Sequence, residues 1–136
     1  MTNPVNEPIL RLMPGPSDIN ANGHIFGGWV LSQMDKAAGI IARHHSGGPV
    51  ATIAIDRMEF IQPIHLRDLI SVYANVESVG RTSMKVRIEV MAWRDNGALR
   101  VKVTECLFTF VAIDEQARPR PVAGGKPHTT PGLSEV

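Results

Sequence analysis

The chain predicts an α+β domain in which one long central helix is wrapped by a curved antiparallel sheet. Three observations predict it. One stretch, Trp29 to His45, repeats apolar residues at helical period, and almost everything after it alternates at period two between turn signals. A lone helix buries only part of so extensive a sheet, and the economical packing curls the sheet around it. The apolar surface left over implies self-association, so at least a homodimer is expected.

Taken in order, Ile9 to Met13 reads as a short strand, ended by Pro14-Gly15-Pro16. Ser17 to Gly28 is turn-rich, with Asn22-Gly23 marking a tight turn. In the helix, Val30, Met34, Ala37 and Ile41 share one face, while Ser32, Lys36 and Arg43 take another side. Ala37, Ala38, Gly39 and Ala42 keep its second half slim enough for a sheet to approach closely. Ser46-Gly47-Gly48-Pro49 stops it.

Val50 to Phe60 predicts the next strand, and Asp68 to Val79 the one after, with Ile70, Val72, Ala74 and Val76 on one face. Ser83 to Trp93 alternates most cleanly, Met84, Val86, Ile88, Val90 and Ala92 against Lys85, Arg87 and Glu89. Asp95-Asn96-Gly97 makes a hairpin turn into a last strand, Leu99 to Asp114, apolar on both faces from Leu107 onward, as a central or interface strand would be. Ala117 to Val136 is rich in Pro, Gly and Thr and reads as a surface tail. The domain is assigned to residues 1–122 and the C-terminal tail to 123–136.

The composition narrows the function classes. Apolar residues make up 43% and charged residues 20% of the 136, an ordinary globular balance. Fourteen Lys plus Arg against 13 Asp plus Glu leave +1, which gives no reason to expect nucleic acid as a partner. A single cysteine, Cys106, rules out an intrachain disulfide and argues against a cysteine-based zinc site. His24, His44, His45, His65 and His128 lack metal spacing, so no metal is expected. The first residues lack signal-peptide character and no apolar run approaches the ~20 residues of a membrane span, so a cytoplasmic protein is expected. No Gly-x-Ser-x-Gly elbow supports Ser32 or Ser83 as a nucleophile, and no Walker or dinucleotide fingerprint is present.

Four places carry candidate chemistry. Asp35 shares a helix stripe with apolar Leu31, Ala38 and Ala42, so it is either a partly desolvated carboxylate or an exposed one beside Lys36. Gly27-Gly28-Trp29 opens the helix, where free N–H groups and the positive dipole end suit a developing oxyanion; the alternative is a tight loop needing glycine at positive φ. In Asp18 to His24, Asn20 or Asn22 offers an amide to position water and His24 an acid or base, unless these side chains only bond their own backbone as Asx turns. Gly80-Arg81-Thr82-Ser83 offers an Arg, hydroxyls and N–H groups as a phosphate cradle, or is simply a hairpin turn.

Read together, Met-Pro-Gly-Pro-Ser-Asp-Ile-Asn-Ala-Asn-Gly-His-Ile-Phe-Gly-Gly-Trp-Val-Leu-Ser-Gln-Met-Asp (13–35) resembles the start of bacterial acyl-CoA thioesterases of the YciA type, within the hot-dog fold superfamily. The resemblance continues through Phe60-Ile61-Gln62-Pro63-Ile64, Gly80-Arg81-Thr82-Ser83 and Phe108 to Asp114, covering roughly residues 9 to 122. It implies hydrolysis of acyl-coenzyme A to free fatty acid and coenzyme A, with no cofactor beyond the coenzyme A of the substrate. It further implies Asp35 as the catalytic carboxylate, acting on water or directly on the thioester. Asn20 would serve the same reaction across a subunit interface, and Gly28 N–H would be the oxyanion donor beside Gly27. Arg81, Thr82 and Ser83 would approach coenzyme A, and dimers would stack as a trimer of dimers. Two positions depart from the pattern: His24 stands where such enzymes usually carry an acidic residue, and Leu66-Arg67-Asp68 replaces the usual Gly-Asp after Pro63. The rival expectations are a non-catalytic acyl-CoA-binding hot-dog module and a hydratase using His24.

Overall fold

The computed structural model describes residues 7–122. Residues 1–6 and the tail expected at 123–136 lie outside the described residues. The elements run β1 (Leu10–Leu12), α1 (Gly27–Ser46), β2 (Val50–Phe60), β3 (Leu69–Val79), β4 (Ser83–Arg94) and β5 (Leu99–Ala112), with 3-10 turns at Pro16–Asp18 and Asp95–Gly97. All five strands pair antiparallel in the order β1-β3-β4-β5-β2. The helix lies across one face and meets β2, β3, β4 and β5. This is the hot-dog arrangement that the resemblance implies.

The two periodicities place the core. Val30, Met34, Ala37 and Ile41 are buried on the helix, and so is the whole set Met84, Val86, Ile88, Val90 and Ala92 on β4. Ala37, Ala38 and Ala42 are 0% exposed, so the sheet approaches the helix backbone without intervening side chains. Phe108 and Phe110 of the interior strand β5 are buried in the same core. The opposite face of the sheet carries a solvated lattice in which Arg87 pairs with Glu77, and Lys102 with Glu89 and Glu105. Such exposed pairs contribute little to stability.

Three boundaries differ from the sequence expectation by two residues or more. The helix starts at Gly27, two residues before its apolar period, because glycines are poor helix formers and hide the first turn from a pattern reading. β5 ends at Ala112, where Ile113 N–H turns to Pro49 O (3.0 Å) and Ile113 bridges Pro119. Ala117 to Val122, expected as surface tail, instead folds back: Val122 is buried and its N–H donates to Arg81 O (2.8 Å).

Arg120 is the clasp of that return. Its guanidinium donates to Ser46 O (3.1 Å), Pro49 O (3.0 Å) and Ile113 O (2.8 Å), tying the helix end to both flanking strands. A Cβ on Gly48 would lie 2.8 Å from Arg120 Nη2, so any side chain there must push the end of the clasp aside. Gly47 takes φ 76° as the left-handed cap.

β2 is an edge strand, and an irregular one. Its pairing with β5 slips between Thr52 and Ala54 and again between Asp56 and Glu59, and Arg57 holds φ 58°. Ile53 is 59% and Ile55 39% exposed, a conspicuous apolar edge for one chain. Among the described residues, no helix is long and apolar enough to cross a membrane.

Removing the clasp leaves carbonyls at the helix end without their charged donor. Arg120→Ala is expected to lower unfolding stability by about 3 kcal/mol. Arg120→Lys should recover less than half of that, because one ammonium cannot reproduce the fork. Urea unfolding followed by circular dichroism measures both.

Candidate active site

The amino end of α1 is built by two aromatic rings packed on two glycines. A Cβ on Gly27 would sit 3.3 Å from Phe60 Cζ, and one on Gly28 3.2 Å from Phe26 Cε2. The left-handed glycines are Gly23, Gly47 and Gly97, so what favours glycine at the pair is the close approach of the rings and not positive φ. Phe26 caps the helix without a side-chain bond, and among the described residues neither Gly27 nor Gly28 N–H meets an acceptor. Those donors carry the positive end of the helix dipole.

Beside them the chain from Ile19 to Ile25 folds into a small hairpin, closed by the Ile19–Ile25 bridge and turned at Gly23, φ 83°. Asn20 occupies its base. The Asn20 side-chain oxygen accepts from Asn22 N (2.8 Å) and His24 N (3.1 Å), which is the Asx-turn chemistry weighed above. Two N–H groups aimed at one amide atom identify that atom as Oδ1. The Nδ2 donors of Asn20 therefore remain as its free functional group. Asn20 can donate to an oxygen in the site, whereas its acceptor is already engaged.

A pocket of about 190 Å³ opens between this hairpin, the first helical turn and the segment after β2. Asn20, His24, Gly27, Phe60 and Gln62 line it together with the buried Val30, Ile64 and Val103, each 2% exposed or less. The segment 61–68 is held by Asp68, whose carboxylate accepts from Arg94 Nε (3.0 Å) and His65 N (2.8 Å) while Arg94 also donates to Pro63 O. The departure at Leu66-Arg67-Asp68 thus keeps its acid as a buried anchor. His24 stacks on His65 with centroids 5.5 Å apart.

Asp35 lies on the same helix, seven residues beyond Gly28. Its carboxylate accepts from Thr52 Oγ1 of β2 at 2.8 Å. Of the two alternatives for this carboxylate, the exposed one is what a single chain shows. Asp35 is exposed, because the irregular edge strand leaves this side of the helix uncovered. Seven residues of helix separate Asp35 from Gly28 by ~10 Å along the axis, too far for both to act on one carbonyl group.

Arg81, Thr82 and Ser83 form the expected turn between β3 and β4, with Gly80 N–H donating to Ser83 O (2.8 Å) and Ala112 N–H to Thr82 O (2.8 Å). Ser83 pairs with Val111, next to the start of β2, so this turn sits at the carboxyl end of α1 and opposite Gly27. One chain does not bring Arg81, Thr82 and Ser83 together with Asn20 and Gly28. Cys106 is a buried core thiol, pushed up to about 12 by its burial. Among the described residues, no group of three or more His, Cys, Asp or Glu is placed to hold a metal ion.

The structure adds residues that the sequence reading did not assign to the site. Thr52 meets Asp35 only because β2 returns beside the helix, a contact with no local signal. Phe60 and Gln62 belong to the Phe-Ile-Gln-Pro-Ile block, whose position after a strand next to a proline was the available signal. Val103 enters through a bulge in β5: Val90 faces Thr104 and Met91 faces Lys102, leaving Val103 without a partner on β4.

Comparison with known proteins agrees with this geometry. The thioesterase superfamily model matches residues 22–98. The acyl-CoA thioester hydrolase YciA of Salmonella typhimurium is 39% identical over 122 residues, covering 88% of this chain and 92% of its own. A hexameric hotdog-fold thioesterase of Campylobacter jejuni, Cj0915, superposes with a TM-score of 0.82 at 39% identity, covering 88% of this chain and 92% of that one. HI0827, a hexameric broad-specificity acyl-coenzyme A thioesterase, gives a TM-score of 0.80 at 39% identity over 90% of this chain and 83% of that one. The chain belongs to the thioesterase superfamily, within its hot-dog acyl-CoA thioester hydrolases of the YciA type.

Proposed function

We propose that this protein hydrolyses acyl-coenzyme A thioesters at a site shared between two copies of the chain. The observation that carries the reading is the split described above. The donors at Gly27, Gly28 and Asn20 cluster at one end of α1, while Asp35 stands exposed ~10 Å away, held by Thr52. A second copy pairing along the open β2 edge would cover Ile53 and Ile55 and exclude water from Asp35. A two-fold axis through that edge runs the two helices antiparallel. Each Asp35 is then offered to the donors of the other protomer, and each Arg81-Thr82-Ser83 turn faces the partner's Gly28 end. Relatives of this chain are hexameric, and we extend that assembly, three such dimers, to this protein.

In this scheme the thioester carbonyl oxygen accepts from Gly28 N–H and Asn20 Nδ2. Asp35 takes a proton from water as the water oxygen bonds to the carbonyl carbon. The carbon–sulfur bond then breaks, the thiolate is protonated, and the acid and coenzyme A leave. Arg81, Thr82 and Ser83 receive the phosphates of coenzyme A, which enters as substrate and departs as product. The chemistry needs only water and groups of the chain. The reading carries with it the cytoplasmic location expected from the sequence.

Release of free thiol from acyl-CoA, followed with a thiol reagent, tests the reaction. Asp35→Ala is expected to fold and assemble normally and to lose roughly 10²–10⁴ in kcat. Tight acyl-CoA binding with no thiol released would contradict hydrolysis and favour a binding module.

Asn20→Asp separates the structural from the chemical duty of that residue. Its carboxylate can accept the same two backbone N–H bonds, so thermal stability should stay within about 1 kcal/mol of the parent. It cannot donate to the oxyanion, so kcat should fall by at least ~10². Retained turnover would show that Asn20 serves only its own turn.

A further inference from the structure

Resting on the reading of Asn20 as an oxyanion donor, we infer that Asp68 and Arg94 are positioning residues for that donor, acting through the segment that joins β2 to β3. Arg94 ends β4 and Asp68 precedes β3, so neither belongs to the helix end or to the hairpin that carries Asn20. Their ion pair, Arg94 Nε to Asp68 Oδ2 at 3.0 Å, is buried: the two side chains are 14% and 3% exposed, whereas the pairs of the outer lattice are more than a third exposed. Holding two charges out of water is costly, and apolar side chains of the same volume can serve stability as well. What the pair adds is direction.

Its bonds bracket one residue. Arg94 donates to Pro63 O, His65 N donates to Asp68 Oδ2 (2.8 Å), and Asp68 N donates back to His65 O (3.0 Å). Between Pro63 and His65 lies the buried Ile64, whose carbonyl accepts Ile25 N at 3.0 Å. Ile25 is itself buried and is bridged to Ile19 at the foot of the Asn20 hairpin. The ring contact of His24 with His65 joins the same two pieces of chain. The hairpin's backbone bond to a distant segment and its ring contact thus both land on residues that the pair holds. The other backbone bonds printed by this hairpin, Asn20 N to His24 O (2.6 Å) and Gly23 N to Asn20 O (3.1 Å), close on the hairpin itself.

The Asn20 amide moves with its hairpin, because Asn22 N and His24 N both hold its Oδ1. Where the free Nδ2 donors point therefore depends on where Ile64 stands. A donor serves an oxyanion only within hydrogen-bond reach of the place where that oxygen will be, and a misplacement of about 1 Å can cost ~10² in rate. The charge it meets develops in the transition state, so a misplaced donor lowers kcat and leaves KM close to the parent value.

The test measures thiol release from acyl-CoA by the full-length chain carrying Arg94→Lys. The ammonium keeps the charge but cannot reproduce the fork that holds Asp68 and Pro63 O together. We expect kcat to fall by about tenfold with KM within about twofold of the parent. The deciding comparison repeats the substitution in Asn20→Asp, where the donor is already gone. There Arg94→Lys should cost no more than about twofold further, because its effect runs through the missing group. A merely structural role would lower kcat by the same factor in both backgrounds. If Arg94→Lys does not fold, Asp68→Leu combined with Arg94→Met keeps the bulk, leaves no buried charge and is read in the same way. Parental kcat in these variants, or an equal loss with and without the Asn20 amide, overturns the inference and leaves Asn20 as a donor. Full turnover in Asn20→Asp alone overturns the reading beneath and the inference with it.

Discussion

One contact decides the architecture: a helix side made of alanine pressed against the inner face of a sheet. Ala37, Ala38 and Ala42 have no exposed surface, and larger side chains there would hold the strands away from the helix backbone. Because the sheet closes on that slim stretch, β2 can run back along α1 and place Thr52 within hydrogen-bond reach of Asp35. The same closure sends Phe60 onto Gly27 at the other end of the helix. The positions of the carboxylate and of the oxyanion donors both follow from how tightly the sheet grips one rod.

That grip also leaves work undone. Four of the five strands meet one side of the helix, and the edge at β2 remains open with two isoleucines exposed. The open edge and the exposed acid lie on the same side of the molecule, so what covers one would cover the other. In the proposed assembly a single symmetry operation satisfies the strand edge, desolvates the carboxylate and supplies the missing half of each site. Stability and chemistry would then share one interface.

Much of this was legible in the residues, for reasons that can be named. Period-two alternation in Met84 to Ala92 and the 3.6-residue stripe from Val30 to Ile41 report burial directly, because each side chain's face follows from its place in the repeat. The Asn-Gly turn and the glycine stop after Ser46 declare themselves through left-handed backbone. The helix start was harder, since Gly27 and Gly28 carry no apolar signal, and the reason for them is a pair of rings, Phe26 and Phe60, one of them distant in sequence. Asn20 was ambiguous between turn and site, and it proves to bond its own turn through one end of its amide while leaving the other end open. Asp35 could be placed on its stripe but not in its solvent, because exposure there depends on an edge strand and on what meets it. The Val103 bulge is defined by registers on two strands, and no single segment contains that information. The return of Arg120 to the helix end was hidden likewise, inside a stretch whose composition resembles a tail.

The central claim is that Asp35 of one copy works with Asn20 and Gly28 of another, and subunit mixing tests it most directly. Asp35→Ala and Asn20→Asp proteins, each inactive alone, are unfolded together, refolded and assayed for thiol release. Random two-fold pairing leaves one intact site in every mixed dimer, so about a quarter of parental activity should return. If the mixture stays as inactive as its components while assembling normally, the two residues act within one chain and the shared site is wrong.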